Sequence, residues 1–500
     1  MEPIKDGERE ACIYRIYRYE HANKELSVSM HIQNNKMAIN QKAEDLISRI
    51  EGLVPSCIVK DTAKYRSDWW VAYRIEEGIK GSPLAAVKPK CKDDLLKILK
   101  FAREEGIAIL PRGGGSSVTG ASVSNGGIVI DMSLMSSVVA IDTESRTVTV
   151  QAGARLESVE KSLNEKGFTL GQFPQSFELA TIGGYISTMG TGHFSSFYGG
   201  IEESVLRLEV LLSNGELIKT REYGVPRSSA GPDLSKIFIG AEGAFGIITE
   251  AELKIHPIPK HTQALVYGFN TFEQAINAVK ALNDIDIKPQ LCRVYSETES
   301  SFYFGTGKSI VLLSYASNNP EVLSSTVSEL SGLMLSSGGT QEDTKFLEKA
   351  MKSRFDFRSQ LESFQKMGLE VETIEIASRW KDIGHMYKDL SESLSAIEDI
   401  AASGAHLSHI YPQGACTYFT IIFKPNLSSY QKIWEAAAAA ARRNNSSVSH
   451  HHGVGILKSE YVKEEIPISL LSAIKRSLDP DGIISREARS NNMHAPRGSQ

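Results

Sequence analysis

The stretch Pro111-Arg112-Gly113-Gly114-Gly115-Ser116-Ser117-Val118-Thr119-Gly120 follows directly on a small apolar run, Ile107 to Leu110, which reads as a buried strand. Three successive glycines let a backbone approach a ligand closely and adopt positive φ. Their N–H groups, with the hydroxyls of Ser116, Ser117 and Thr119, make a nest suited to an anionic group such as a pyrophosphate. A glycine-rich surface turn is the plain alternative, but turns rarely need this composition straight after a buried strand. It is not a Walker loop, because no Lys-Ser/Thr follows the glycines. The only Gly-Lys-Ser in the chain, Gly307-Lys308-Ser309, has Phe302 where the first Walker glycine would stand. Nor does a G-x-G-x-x-G open a helix here, as a nicotinamide fingerprint requires.

Around this loop the pattern is α/β. Asp93 to Gly106 places Leu95, Leu99 and Ala102 on one helical face, and residues 126–132 and 147–153 read as strands. An amphipathic helix is expected near 155–166, with glycine-rich segments to about 250. A second segment of small and hydroxyl residues runs Pro174-Gln175-Ser176-Phe177-Glu178-Leu179-Ala180-Thr181, through the pair Gly183-Gly184, to Thr188-Met189-Gly190-Thr191. A third holds Glu242-Gly243-Ala244-Phe245-Gly246-Ile247-Ile248. Each alone also suits tight helix–strand packing. Together, inside one α/β domain, they point to an extended cofactor clasped by several loops.

The 500 residues allow two to four domains at about 150 each. With 41% hydrophobic and 23% charged residues, neither a disordered nor a fibrous chain is indicated. A net charge of −5 argues against a nucleic-acid binder. The five cysteines, Cys12, Cys57, Cys91, Cys292 and Cys416, form no CxxC pair and fit reduced thiols. No stretch approaches the roughly 20 apolar residues of a membrane helix, and the N-terminus lacks a signal-peptide core. A cytoplasmic protein is expected. Prolines in His256-Pro257-Ile258-Pro259-Lys260-His261 suit a boundary, and longer helical candidates follow (272–282, 320–336, 344–364, 428–443). The expected organisation is an N-terminal segment 1–80, a cofactor domain 81–260, a substrate domain 261–445 and a C-terminal segment 446–500 that completes the active site.

Two further segments carry reactive side chains. Ser449-His450-His451-His452-Gly453-Val454-Gly455 holds three consecutive histidines. In an extended segment alternate side chains face opposite ways, which disfavours one shared metal, and no paired Cys or H-x-x-x-H supports a zinc site. An acid/base role beside the cofactor is expected instead, with no metal. Residues 414–423 read as a strand with Cys416, Tyr418 and Thr420 on one face; a strand tyrosine is usually just packed.

In this order the segments resemble the flavin-dependent vanillyl-alcohol-oxidase family, with its PCMH-type FAD domain. The likeness covers nearly the whole chain from about residue 65. It implies an α+β fold: a two-subdomain FAD-binding domain, and an α/β cap in which helices flank an antiparallel sheet. It implies FAD contacts at Pro111 to Ser117, Gln175 to Thr181, Thr188 to Thr191 and Glu242 to Ile248. Some relatives attach the flavin through a histidine in the first loop; Ser116 and Ser117 stand there here, which implies non-covalent FAD.

Within the family the likeness is strongest to the alkylglycerone-phosphate (alkyldihydroxyacetonephosphate) synthases, through residues 173–184, 228–234, 414–419 and 449–455. These exchange the acyl group of acyl-dihydroxyacetone phosphate for a fatty alcohol via a flavin adduct. The resemblance implies Tyr418 as catalytic tyrosine, His450, His451 and His452 as a functional trio, and Arg293 as an arginine important to activity. Gln172 replaces a histidine of the synthases, and Gln365 falls where they carry a phosphate-holding arginine. Arg354 or Arg358 is expected to substitute as substrate-binding group. The alternative is an FAD-linked D-2-hydroxyacid dehydrogenase of the lactate or glycolate type. Residues 405–419 and 450–455 depart from the metal-binding motifs of that branch. A non-catalytic flavin scaffold would leave Tyr418, His451 and Arg293 without purpose. The partner expected is a small-molecule or lipid-like substrate and no nucleic acid; the resemblance leaves room for a homodimer and for contact with a membrane surface.

Overall fold

The computed structural model describes residues 44–55, 57–355 and 357–485. Contacts divide the chain after Gly52. Residues 44–52 are helical. Everything below concerns the unit from Leu53 onward.

Among the described residues three larger sheets organise it, beside a two-stranded pair of Phe168–Thr169 with His256–Pro257. Short parallel strands Ala85–Val87, Ile128–Asp131 and Ile109–Arg112 form the first, with Ile128–Asp131 in the middle. Ile109 also bridges Ile484, so the C-terminal segment extends this sheet. The second is antiparallel, in the order Val138–Asp142, Thr147–Gln151, Ile247–Lys254, Val205–Leu211, Leu217–Lys219. The third is a seven-stranded antiparallel sheet in which Ser309–Ser317, Leu291–Tyr295, Ile400–Tyr411, Gly414–Phe423 and Glu370–Arg379 follow one another, the last at the edge. The fold is α+β, and the sheets change over between Lys254 and His261.

Strand alternation decides which face of the third sheet is dry. Cys292, Val294, Ala405, Leu407, Phe419, Ile421, Ile374 and Ile376 join one apolar cluster with helices Phe272–Lys280, Pro320–Ser336, Trp380–Ser395 and Leu427–Arg443. Their neighbours in sequence, Arg293, His406, Tyr418, Thr420 and Glu375, point the other way, and polar chemistry gathers there. Phe272–Lys280, Pro320–Ser336 and Leu427–Arg443 fall where the periodicity places them. The single helix expected over 344–364 is instead two, Lys345–Ser353 and Phe357–Lys366. Between them Phe355 stacks on Phe177 (centroids 5.6 Å apart) with the Arg354 guanidinium 4.5 Å above the Phe355 ring. Among the described residues no helix is long and apolar enough to cross a membrane.

Candidate active site

A cavity of about 720 Å³ runs from the 111–117 loop to the polar face of the third sheet. Gly113 and Gly114 explain its first wall. A Cβ on Gly114 would stand 1.8 Å from the Leu179 carbonyl oxygen, and one on Gly113 2.1 Å from Thr181 Oγ1. Glycine is therefore required for the loop to lie against 179–181, and only Gly115 of the three uses positive φ (68°). The nest expectation needs correcting at Thr119, which is fully buried and shares a hydrogen bond (3.2 Å) with Ser117 Oγ instead of facing the cavity.

Of the expected cofactor contacts, Pro111 to Ser117, Gln175, Ser176, Glu178 to Thr181, Thr188, Gly190, Thr191, Glu242, Gly243 and Gly246 to Ile248 line the cavity. Phe177, Met189, Ala244 and Phe245 are not among its lining residues. Ala244 and Phe245 are buried in the core of the second sheet, Phe177 is occupied by aromatic stacking, and Met189 is 40% exposed at positive φ. Two lining residues do structural work as well. Arg112 donates to the carbonyls of Ser122, Lys64 and Ser67, tying the N-terminal strap to the loop. The Glu242 carboxylate accepts from the amides of Val454 and Gly455.

At the far end, pairing register sets Glu375, Tyr418 and His406 side by side across three strands. His406 stacks on Tyr418 (4.7 Å, 8° between planes), and its Nδ1 lies 3.0 Å from both Glu299 carboxylate oxygens. Thr420 donates to the same carboxylate at 2.9 Å. The Tyr418 hydroxyl lies 3.0 Å from His409 Nε2 and 3.3 Å from His451 Nε2. His409 reaches it because the strand bulges between Ser408 and Ile410, with His409 at φ 52°; a bulge re-aims a side chain beside a site.

The histidine run is not extended. It wraps around the fully buried Glu375, whose Oε1 accepts from the amides of His450 (3.0 Å), His451 (3.1 Å) and His452 (2.9 Å) and from Lys458 Nζ (2.9 Å). His451 Nδ1 lies 2.9 Å from the other oxygen. Burial pushes the Glu375 carboxyl up, but His452, Lys458 and His451 outweigh it and hold it well below the usual carboxylate range. Burial drives His450 and His452 down to about 3, so both rings are neutral at pH 7. It also raises the Tyr418 phenol well above its usual value. His409, His450 and His451 bring ring nitrogens within 4.8 Å of one another, yet Tyr418, Ser195, Tyr411 and Glu375 already partner them.

His451, His452, Arg293, Arg354 and Arg358 line the cavity with Tyr418; His450 does not, and faces a second cavity behind it. Cys416 is fully buried and does not line the main cavity. Among the described residues none of the three arginines has a carboxylate partner, and the Nε atoms of Arg293 and Arg354 are buried without any partner. Gln365 donates to Glu370, and Gln172 is buried between Gly199 and Tyr185, so neither replaced position faces the cavity.

Residues 83–221 match the family model of an FAD binding domain, and 258–487 that of the FAD linked oxidases, C-terminal domain. The uncharacterized FAD-linked oxidoreductase YgcU of Escherichia coli (strain K12) is 30% identical over 432 residues, covering 81% of this chain and 88% of that protein. The chain belongs to the FAD-linked oxidases. Alkyldihydroxyacetonephosphate synthase of Caenorhabditis elegans is 28% identical over 508 residues, 91% of this chain and 81% of that protein. A solved alkyldihydroxyacetonephosphate synthase superposes with TM-score 0.75 at 21% identity, over 88% of this chain and 84% of its own. The PCMH-type fold expected from sequence is the fold found, and FAD is the cofactor. The glycine cradle against 179–181, opening into a cavity lined by arginines that have no carboxylate partner among the described residues, fits such an anionic, elongated group.

The residues that sequence reading missed are Glu375, Lys458, His409, His406 and Glu299. One signal was available: Glu375 stands between Ile374 and Ile376 in a strand, where a carboxylate must find partners or lose its charge.

Proposed function

We propose that this chain is an FAD-dependent enzyme of the alkylglycerone-phosphate synthase type, which replaces the acyl group of acyl-dihydroxyacetone phosphate by a fatty alcohol. The observation that carries this reading is the Tyr418 hydroxyl, held in the cavity between His451 and His409 with Glu375 behind His451. A buried carboxylate that fixes an imidazole, which in turn faces a hydroxyl, is the arrangement of a proton-transfer relay. The Glu375 carboxylate accepts a hydrogen bond from Nδ1–H of His451, leaving Nε2 to accept from Tyr418, and Tyr418 is then able to accept a proton from substrate.

The 111–117 loop and 178–181 would hold the FAD, and bound FAD supplies the ring at which the substrate carbon reacts. Residues 111–117 hold no histidine or cysteine, which supports a non-covalent flavin. Arg293 and Arg354, with Arg358 stacked 5.4 Å over Trp69, supply cationic groups for the substrate phosphate. The same arginines would clamp a carboxylate, which supports a second reading, oxidation of a D-2-hydroxyacid. Anaerobic mixing separates the two: a labelled fatty alcohol enters acyl-dihydroxyacetone phosphate in the first, and D-lactate or a relative bleaches the flavin in the second. Bleaching without exchange would overturn the synthase reading.

A further inference from the structure

His450, although part of the histidine run, opens onto a separate cavity of about 570 Å³ that it shares with Tyr411. The other walls of that cavity include exposed Arg379, Gln413, Arg442 and Glu464, so it communicates with solvent. His450 Nε2 lies 3.0 Å from the Tyr411 hydroxyl, and His450 Nδ1 lies 2.8 Å from His451 Nδ1. A continuous line of hydrogen-bonding groups thus runs Tyr418–His451–His450–Tyr411, from the reaction cavity to the second one.

We propose that His450 and Tyr411 are the proton exit of this enzyme, relaying the proton that His451 takes from Tyr418 into the second, solvent-facing cavity. The inference rests on the exchange reading above. In that reaction the O–H bond of the alcohol breaks and its oxygen bonds to the substrate carbon. The acyl oxygen departs with its electron pair as a carboxylate. No electron is gained or lost overall, and because carboxylic acids ionise well below pH 7, one proton is left over in each turnover. It is released at Tyr418, in a cavity filled by flavin and lipid-like substrate.

The tautomers suit the task. Glu375 Oε2, 2.9 Å from His451 Nδ1, places a proton on that nitrogen, leaving Nε2 free to accept from Tyr418. When Nε2 is protonated, the Nδ1 proton is the one nearest His450 Nδ1. His450 accepts there and gives up its Nε2 proton to the Tyr411 oxygen, whose own proton passes to water. His450, kept neutral by burial, donates at one nitrogen and accepts at the other, as a carrier must. Both are relay residues, since neither lines the main cavity.

The test uses the FAD-loaded enzyme in weak buffer with a pH-indicator dye, following proton release and product formation in a single turnover. Tyr411→Phe removes one hydroxyl and keeps the ring. In it and in His450→Gln, proton release should lag behind product, and turnover should fall about 10- to 100-fold with unchanged FAD content. His450→Gly should regain speed with added imidazole entering from the second cavity. Proton release in step with product at the wild-type rate in Tyr411→Phe would overturn the relay, even if His450→Gln failed to fold. Wild-type enzyme that exchanges no alcohol would overturn the exchange reading itself, a distinct result visible before any variant is made.

Discussion

A carboxylate sealed from water would ordinarily take up a proton; Glu375 keeps its charge because the Lys458 ammonium lies 2.9 Å away and three backbone amides bind it. Glu375→Gln leaves Lys458, which is 1% exposed, without its counter-charge. Breaking a buried pair from one side costs about 3–5 kcal/mol, so urea unfolding should show a loss of that order, partly regained in the double variant Glu375→Gln/Lys458→Met. The pH dependence follows from the same cluster. His450 and His452 titrate near 3 when folded and at about 6.5 when unfolded, so between those values the unfolded chain binds more protons. Stability should therefore fall as pH drops from about 6.5 towards 3, and the lowered Glu375 carboxyl adds a further loss below about pH 4. Urea midpoints across pH 4–8 check this, and His450→Gln should flatten the slope. At the reacting end, Tyr418→Phe should lower turnover by about 10²- to 10⁴-fold while flavin absorbance stays at the wild-type level.

Elements explain what was legible. Alternation in 414–423 places Tyr418 and Thr420 on one face from sequence alone, because side-chain direction in a strand is local. The partners of Tyr418 were not legible, since Glu375 and His406 reach it through cross-strand register, which depends on distant pairing. His409 was hidden twice over, by register and by a bulge that turns it at positive φ. The break between Lys345–Ser353 and Phe357–Lys366 was hidden by good helix formers on both sides, and Phe355 stacks on Phe177 beside it. That break sets Arg354 in the cavity wall; Arg354→Ala should raise KM for a phosphate-bearing substrate about 10- to 100-fold with a smaller change in kcat. In the glycine loop, Gly114→Ala would press a methyl against the Leu179 carbonyl, so flavin content on purification should drop sharply.

For the whole molecule, the glycine-rich segments were legible as one cofactor clasp because each lies near a strand end of the FAD-binding half, where loops converge. Less legible was the way the C-terminal segment closes the site. Glu242, in the turn before the strand Ile247–Lys254, and Glu375, on the third sheet, both capture backbone amides of 450–455 and tie the two halves together there. Under the proposed non-covalent attachment, acid or heat should release all the yellow colour into the supernatant; colour kept in the precipitate would contradict it. The exchange reading stands or falls on one measurement: enzyme, acyl-dihydroxyacetone phosphate and a labelled long-chain alcohol mixed without oxygen, with product label and flavin absorbance followed together. Label should appear in an ether product, and the flavin should end the reaction oxidised. Absence of label, with lasting bleaching by a D-2-hydroxyacid, would contradict it.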